Sequence, residues 1–303
     1  MRLLRTFIGI FIILSLLVAV GSGCNQEFEP GTYTDDMGRQ VSIDAIPGRI
    51  VSHVPSITEI LFALGLGEKV VGVSEYCDFP EEAMSKPSVG NYFNPSIEKI
   101  VALEPDLVLT DGHIESIKQL DNLGITYMII EPRDVDGIFK DIELLGRVTG
   151  VEGRAGELIK NMEGEISRIV NQVEGAPTVR VIYVLDVTDL SNPWTAGPGS
   201  FVDFFIAMAG GENIASEAPA PWVQFSIEEV VSSDPEVIIL TSKHGTTFTS
   251  PEALKGHSAW QATTAVKRGR ICIIDGDLID RAGPRIVQGL EEIARIIHPE
   301  LFD

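Results

Sequence analysis

The positions of apolar and polar residues along the chain predict strands and helices in turn. Seven short apolar runs, many of them β-branched, have the length of buried strands, and apolar residues recur at helical spacing between them. Strands that alternate with helices are typical of a mostly parallel sheet covered by helices. The predicted strands are 49–52, 70–74, 107–110, 126–130, 180–186, 237–241 and 270–274. The predicted helices are 56–66, 96–103, 114–123, one from about 135, 201–209 and 283–297.

Serine residues mark the starts of several predicted helices. Ser56 has Glu59 three residues later, which is the pattern of a capping box. Ser96 begins the segment SIEKIVALEP, which returns 130 residues later as SIEEVVSSDP from Ser226, and each copy runs into a predicted strand. This period is far too long for a solenoid, so the repeat indicates two related α/β lobes. Two lobes enclose a cleft, which is where a binding site is expected.

A long segment between the two halves has no strand pattern. Its apolar residues keep helical spacing, and Gly, Ser and Pro, which enrich flexible linkers, do not dominate it. We therefore predict a rigid helix over 151–173. The predicted fold is α/β, with two Rossmann-like lobes of mostly parallel sheets joined by this helix and a ligand cleft between them. The apolar residues are Leu158, Ile159, Met162, Ile166, Ile169 and Val170.

The N-terminus has the pattern of an export signal. Two arginines precede an uncharged run over 7–20, which suits a signal-peptide core but is shorter than the roughly 20 residues that span a bilayer. Small residues then lead to Cys24, which resembles the lipobox of bacterial and archaeal lipoproteins, where the cysteine becomes the lipidated first residue. Gly21 departs from that pattern, since Leu is usual there. The alternatives are an ordinary secretory signal or an uncleaved anchor, and each places the rest of the chain outside the cytoplasm.

These patterns divide the chain into five parts. Residues 1–23 are predicted to be the signal peptide, and 24–47 a lipid-anchored tether with an N-terminal hairpin. The N-terminal lobe is predicted over 48–150, the connecting helix over 151–175 and the C-terminal lobe over 176–303. Assigning Cys24 to the lipid leaves Cys77 and Cys272 in different halves. We expect both to be unpaired, with Cys272 buried in its strand.

Composition and motifs exclude several classes of function. A net charge of −21 over 303 residues disfavours a nucleic-acid partner, because phosphate backbones need clustered Lys and Arg. The five histidines have no paired spacing and no neighbouring cysteine or carboxylate cluster, so no metal site is predicted. The chain has no Walker lysine and no nucleophile elbow, so nothing nominates an enzyme and no cofactor is predicted.

Aromatic residues gather near the predicted strand ends, where open α/β sheets bind ligands. Flat rings on both lobes suit a large planar or macrocyclic ligand, because they offer much contact area at little entropic cost. For any one ring, ordinary loop packing is the alternative, and Trp260 is assigned to the core. The rings, which are expected on loops, belong to Tyr76, Phe79, Tyr92, Phe93, Trp194 and Trp222.

Several longer segments identify a family. The sequences RIVS from Arg49, SITEILFALG from Ser56, VGVSEYCDFP from Val71, IEKIVALEPDLV from Ile97 and WVQFSIEEV from Trp222 carry the likeness. Over 47–299 the chain resembles the solute-binding lipoproteins of ABC importers whose two α/β lobes are joined by one rigid helix, the group for vitamin B12, haem and ferric siderophores. The segments YCDFP, NPWTAG, WVQ and DRAGPR are most similar to the vitamin B12-binding proteins.

The resemblance implies roles for particular residues. It implies that Glu98 and Glu228, at matching positions of the repeat, bind arginines of a two-fold permease. The alternative is that both glutamates merely favour the first turn of a helix. Arg281 or Asn192 is expected to donate to phosphate or amide groups of a corrinoid. The implied ligand-binding residues are Tyr76, Phe79, Tyr92, Trp194, Trp222, Asp280 and Arg281.

The sequence thus predicts an extracytoplasmic, lipid-anchored binding protein that delivers cobalamin or another corrinoid to an ABC permease dimer with its ATPase subunits. The free protein is expected to be a monomer, and no nucleic acid is expected. The same fold could instead hold a ferric siderophore or haem, for which Tyr76, Tyr92 or His113 is a possible axial ligand. A lipoprotein that scavenges without a permease is a third candidate, and a secreted α/β enzyme is less favoured.

Overall fold

The computed structural model describes residues 30–113, 115–186, 188–243, 246–247 and 250–302. The predicted signal peptide and the lipidation site Cys24 lie outside the described residues. No helix within the described ranges is both long enough and apolar enough to cross a membrane.

The first lobe is built on a parallel sheet with the strand order β4-β3-β7-β8. One face of the sheet packs against α1 and α4, and the other against α2 and α3. All residues of β3 and β7 are buried, as expected for strands covered on both faces. Strands of this half are β1 (Gly31–Thr34), β2 (Gln40–Ile43), β3 (Ile50–Ser52), β4 (Val70–Val73), β5 (Gly90–Asn91), β6 (Asn94–Pro95), β7 (Leu107–Thr110) and β8 (Tyr127–Ile129). Its helices are α1 (Pro55–Ala63), α2 (Ile97–Ala102), α3 (Gln119–Asn122) and α4 (Val135–Thr149).

The N-terminal hairpin β1–β2 packs onto the first lobe. The backbone N–H of Asp36 donates to the carbonyl of Ile129 at 3.1 Å, and the N–H of Glu131 donates to the Asp36 carboxylate at 2.5 Å. Tyr33 and Val41 are buried in the core of the lobe. The turn of the hairpin therefore lies at the carboxyl end of β8.

Helix α5 (Glu152–Val173) connects the two halves as one continuous 22-residue helix. It packs against α4 of the first lobe and α10 (Ile286–Ile297) of the second. Near its start, the guanidinium of Arg154 donates to the carbonyl of Leu64 at 3.0 Å. Near its end, the amide of Gln172 donates to the carbonyl of Leu301. The helix is therefore held by both lobes.

The second lobe has a seven-stranded mixed sheet. Parallel strands β11, β9, β13 and β15 form its centre, and β10, β12 and β14 add antiparallel pairs. Its strands are β9 (Val179–Asp186), β10 (Trp194–Ala196), β11 (Gly211–Asn213), β12 (Trp222–Gln224), β13 (Val237–Lys243), β14 (Thr246–Thr247) and β15 (Ile271–Asp275). Its remaining helices are α6 (Phe201–Met208), α7 (Ile227–Ser233), α8 (Pro251–Gly256) and α9 (Thr264–Arg268). Trp260 is fully buried and donates from Nε1 to the carbonyl of Leu190 at 2.9 Å, so its assignment to the core is confirmed.

Two local predictions are wrong. Helix α1 begins at Pro55 with Val54 as its N-cap and has no side-chain cap. Pro55 suits the first helical position because it lacks an N–H, and Glu59 is turned toward the second lobe instead of capping. Both Cys77 and Cys272 are free, as predicted, but Cys77 is the buried one. Cys272 is only half-buried, because Ile274 is the residue of β15 that enters the core.

Candidate ligand-binding cleft

A cavity of about 600 Å³ lies between the two lobes. The first lobe contributes Arg133, which lies between β8 and α4. The second lobe contributes Phe201 at the start of α6, Trp222 in β12 and Asp280 beyond β15. Arg133 and Asp280, which follow the parallel strands β8 and β15, thus lie on opposite sides of the cavity, which is the usual place for a ligand in open α/β sheets. We call this cavity the interlobe cavity.

Tyr92 belongs to a small polar and aromatic cluster in the first lobe. Its hydroxyl donates to Oδ2 of Asp111, which directly follows β7. Its ring is parallel to that of His53, with 6.0 Å between centroids, and meets Phe93 edge-on at 4.9 Å. The ring of Tyr92 is half-buried, whereas Phe93 is 77% exposed. The cluster therefore holds the ring of Tyr92 in one orientation and leaves that of Phe93 open to solvent.

The surroundings of Tyr92 and His53 keep both side chains uncharged. Burial and the hydrogen bond to Asp111 raise the pKa of Tyr92 well above its ordinary value. Burial lowers the pKa of His53, whose Nε2 donates to the carbonyl of Asn91 at 3.2 Å. At neutral pH, Tyr92 is a phenol and His53 a neutral imidazole.

Tyr76 and Phe79 lie in the loop after β4. The hydroxyl of Tyr76 accepts from Nδ2 of Asn91 at 3.1 Å. Phe79 is 43% exposed, and the guanidinium of Arg285 from the second lobe lies 4.0 Å from the centre of its ring. Phe79 lines a second cavity, beside Glu59 and Arg285, and does not line the interlobe cavity. Its predicted ligand contact stays a prediction.

Trp194 and Trp222 lie on the adjacent antiparallel strands β10 and β12, where Ala196 pairs with Trp222 and Trp194 with Gln224. The two residues are 41% and 40% exposed. Trp222 lines the interlobe cavity, whereas Trp194 lines a neighbouring cavity formed by residues of the second lobe, so its predicted ligand contact stays a prediction. These rings were expected on loops, and that placement is wrong. Each strand has only three residues, which is too short for an alternating pattern to be recognised.

Asp280 and Arg281 are neighbours in sequence but have different surroundings. Asp280 lines the interlobe cavity. Arg281 is only 8% exposed, and its guanidinium lies 2.6 Å from Asp78, 3.0 Å from Asp277 and 3.2 Å from Glu59. Two of these three carboxylates belong to the other lobe. The structure therefore places Arg281 in an ion-pair network between the lobes, and its contact with a ligand stays a prediction.

Glu59 is the centre of that network. It lies on α1, its side chain is 1% exposed, and it also accepts two hydrogen bonds from Arg285, at 2.9 and 2.7 Å. Glu59 in the first lobe thus meets two arginines of the second. We call Glu59, Asp78, Asp277, Arg281 and Arg285 the interlobe ion-pair network. Because buried charges are tolerated only when they are paired, the network favours one separation of the lobes.

Glu98 and Glu228 occupy matching positions in the two copies of the repeat. Each lies in the first turn of its helix, α2 or α7, and each is exposed. The preceding serines Ser96 and Ser226 cap these helices by accepting a backbone N–H, at 3.3 and 3.2 Å. Each lobe therefore presents one equivalent exposed carboxylate, while docking to a permease stays a prediction.

Some residues at the cleft were not predicted from the sequence. Arg133 had a recognisable signal, since it follows a predicted strand and precedes a predicted helix. Phe201 had none, because the first residue of a helix has no periodic neighbour before it. The partnership of Glu59 with Arg285 joins residues 226 positions apart, which no local pattern records.

Two α/β lobes that face each other across a cleft, joined by one continuous helix, define a two-lobe binding protein. The sequence profile of the periplasmic binding protein family matches residues 50–278. The chain therefore belongs to the periplasmic binding protein family.

Individual relatives agree with this assignment. The uncharacterized ABC transporter substrate-binding lipoprotein YvrC of Bacillus subtilis is 31% identical, over 97% of this chain and 98% of the relative. The vitamin B12-binding protein BtuF of Vibrio cholerae has a similar structure, with a TM-score of 0.70 and 27% identity over 85% of this chain and 99% of that one. The haem-binding protein RhuT of Roseiflexus sp. RS-1, in its apo form, gives a TM-score of 0.73 and 29% identity over 84% of this chain and 98% of that one.

These similarities confirm the predicted class and fold. The protein is the solute-binding component of an ABC importer, and its partners include a permease and an ATPase. The family consists of binding proteins for transport, so the prediction of a binding protein instead of an enzyme is also confirmed. The protein acts outside the cytoplasm, as its relatives do.

Proposed function

We propose that the protein binds cobalamin or another corrinoid in the cleft and delivers it to its permease. The name of the Vibrio cholerae relative supports this ligand. Aromatic rings suit a flat macrocycle: Phe201 and Trp222 line the interlobe cavity from the second lobe. Tyr92, which does not line that cavity, is held in one orientation in the first lobe. No covalent step is required, because the protein has only to bind and release its ligand.

The hydrogen bond between Tyr92 and Asp111 is the observation that favours a corrinoid over haem as the ligand. Where a tyrosine ligates haem iron, it does so as a phenolate. Burial of Tyr92 and its hydrogen bond to the Asp111 carboxylate oppose that state, because both stabilise the neutral phenol and raise the pKa of Tyr92. A corrinoid already holds its metal within the ligand and needs no such phenolate.

The alternative ligand is haem, which the RhuT similarity supports. His113 is 69% exposed, and its Nδ1 lies 3.6 Å from Glu131, so it is the side chain that would reach an iron. A ferric siderophore is a second alternative. Anionic siderophores favour several arginines, and Arg133 is the single cationic side chain among the described residues that line the interlobe cavity.

Calorimetric titration of the soluble chain that starts after Cys24 tests the proposal. Cyanocobalamin is expected to bind one to one, while haem and a ferric hydroxamate serve as competing ligands. Tight binding of haem with no heat from cyanocobalamin would contradict the corrinoid proposal. It would leave the assignment to the family unchanged.

The proposal extends to the membrane. A lipid on Cys24 would keep a monomeric binding protein close to its permease, and the lipoprotein description of YvrC supports such an anchor. The exposed Glu98 and Glu228 would then meet arginines of the permease, one on each half of a two-fold partner.

A further inference from the structure

Arg133 is placed to bind a charged group of the ligand. It lines the interlobe cavity from the first lobe, while Trp222 and Asp280 line it from the second. It is exposed, and it lies in the short segment between β8 and α4. The cavity therefore combines aromatic surface with a single arginine among its described lining residues.

The guanidinium of Arg133 has no carboxylate partner among the described residues. The adjacent Asp134 accepts the N–H of Gly137 at 2.7 Å and so caps α4 instead. By contrast, three carboxylates lie within 3.2 Å of the guanidinium of Arg281. Other described arginines without a carboxylate partner contact a backbone carbonyl or a ring, as Arg270 and Arg147 do. In a chain with a net charge of −21, the guanidinium of Arg133 at the cleft is therefore available to a ligand.

The two donors that the sequence suggested for polar groups of the ligand are already engaged. Arg281 belongs to the interlobe ion-pair network and is buried. Asn192 donates from Nδ2 to the carboxylate of Asp189 at 2.8 Å, on the exposed surface. Arg133 is therefore the cation that the cleft offers to a ligand.

We infer that Arg133 forms a subsite for an anionic oxygen of the ligand. This inference rests on the proposed function, and it assigns the oxygen to the phosphodiester in the nucleotide loop of a complete corrinoid. A guanidinium matches phosphate well, because its fork of N–H groups can donate two parallel hydrogen bonds. The rings of the cleft would contact the macrocycle, and Arg133 its charged substituent. The protein should therefore prefer corrinoids with a nucleotide loop to those without one.

Calorimetry with two corrinoids tests this subsite. Cyanocobalamin contains the phosphodiester, whereas dicyanocobinamide lacks the nucleotide loop and its phosphate. Arg133→Gln is expected to weaken cyanocobalamin binding by about 10- to 100-fold, the range of a charge-assisted hydrogen bond, and to leave dicyanocobinamide binding within about twofold. Arg133→Lys keeps the charge but not the fork of N–H groups, so it should weaken cyanocobalamin binding less than Arg133→Gln does. Arg147→Gln, an exposed arginine near the end of α4, is the matched control and should bind both ligands like the wild type.

The outcomes separate the subsite from the proposed function. If the wild type binds cyanocobalamin and Arg133→Gln changes neither affinity, or lowers both equally, the subsite is wrong and the corrinoid function stands. If the wild type binds neither corrinoid, the proposed function fails and the phosphodiester subsite fails with it. A loss of affinity in Arg133→Gln that is confined to cyanocobalamin would support both the subsite and the corrinoid function.

Discussion

Glu59 shows how a single residue can have a role that its local sequence hides. Its spacing from Ser56 suggested a helix cap, but its carboxylate is enclosed between α1 and two arginines of the second lobe. A buried ion pair adds little over an apolar contact of the same shape, yet removing one partner leaves the other charge uncompensated. The network is therefore sensitive to the loss of one member.

We expect Glu59→Gln to lower the free energy of unfolding by about 3–5 kcal/mol, because it leaves Arg281 and Arg285 without their shared carboxylate. Urea denaturation followed by circular dichroism measures this change. The exposed Glu228→Gln is the control, and it should change stability by less than about 0.5 kcal/mol. Equal effects of the two substitutions would show that Glu59 is not an essential partner.

Asp141 is a second buried carboxyl group, on α4 beneath the N-terminal hairpin. It is 2% exposed, and burial followed by the charge of Asp36 raises its pKa to about 8. Because this folded-state pKa lies above the ordinary value of 3.8, the free energy of unfolding should fall as the pH rises from about 4 through about 8.

Asp141→Asn should remove that dependence. We expect the loss of stability between pH 5 and pH 9 to be smaller in the variant than in the wild type by more than about 1.4 kcal/mol, the equivalent of one pKa unit. Urea denaturation at both pH values measures the difference. Asp136→Asn, an exposed position of the same helix, should follow the wild type. If the stability of Asp141→Asn depended on pH as that of the wild type does, the carboxyl group of Asp141 would not be protonated in the folded protein.

At the scale of elements, regular periodicity explains what the sequence could predict. Helix α5 was expected from apolar spacing over more than twenty residues and lies at Glu152–Val173. The repeated segments became α2 and α7 with serine caps. The three-residue strands β10 and β12 were missed, although they hold Trp194 and Trp222, of which Trp222 lines the interlobe cavity. Contacts between Glu59 and Arg285, or between Tyr92 and Asp111, depend on how elements pack, which local patterns do not record.

The matching positions of Glu98 and Glu228 on α2 and α7 give a test at the same scale. We expect the double variant Glu98→Ala, Glu228→Ala to bind cyanocobalamin like the wild type, because neither residue lines the interlobe cavity. Uptake of cyanocobalamin by cells that carry the double variant should fall at least about tenfold, since the loss of each glutamate would remove one ion pair with the permease. Glu157→Ala, on the exposed side of α5, is the control. Full uptake by the double variant would favour scavenging or another docking surface.

At the scale of the whole molecule, two features connect the lobes in different ways. The continuous helix α5 packs on both, and the interlobe ion-pair network joins α1 to the segment before α10. Neither is a flexible linker, so the cleft should change its width little when a ligand enters. A cleft of nearly fixed width suits a rigid macrocycle, and this agrees with the corrinoid proposal.

The most direct test of a corrinoid site in the cleft is to titrate cyanocobalamin into the wild type and into Trp222→Ala. Trp222 lines the interlobe cavity from the second lobe, so truncation of its ring should weaken binding by at least about tenfold. Phe204→Ala, which truncates a ring of similar exposure on α6 that does not line the interlobe cavity, should keep the affinity of the wild type. Tight wild-type binding that falls in Trp222→Ala is the result we expect. No binding by the wild type, or equal binding by Trp222→Ala, would contradict a corrinoid site in this cleft.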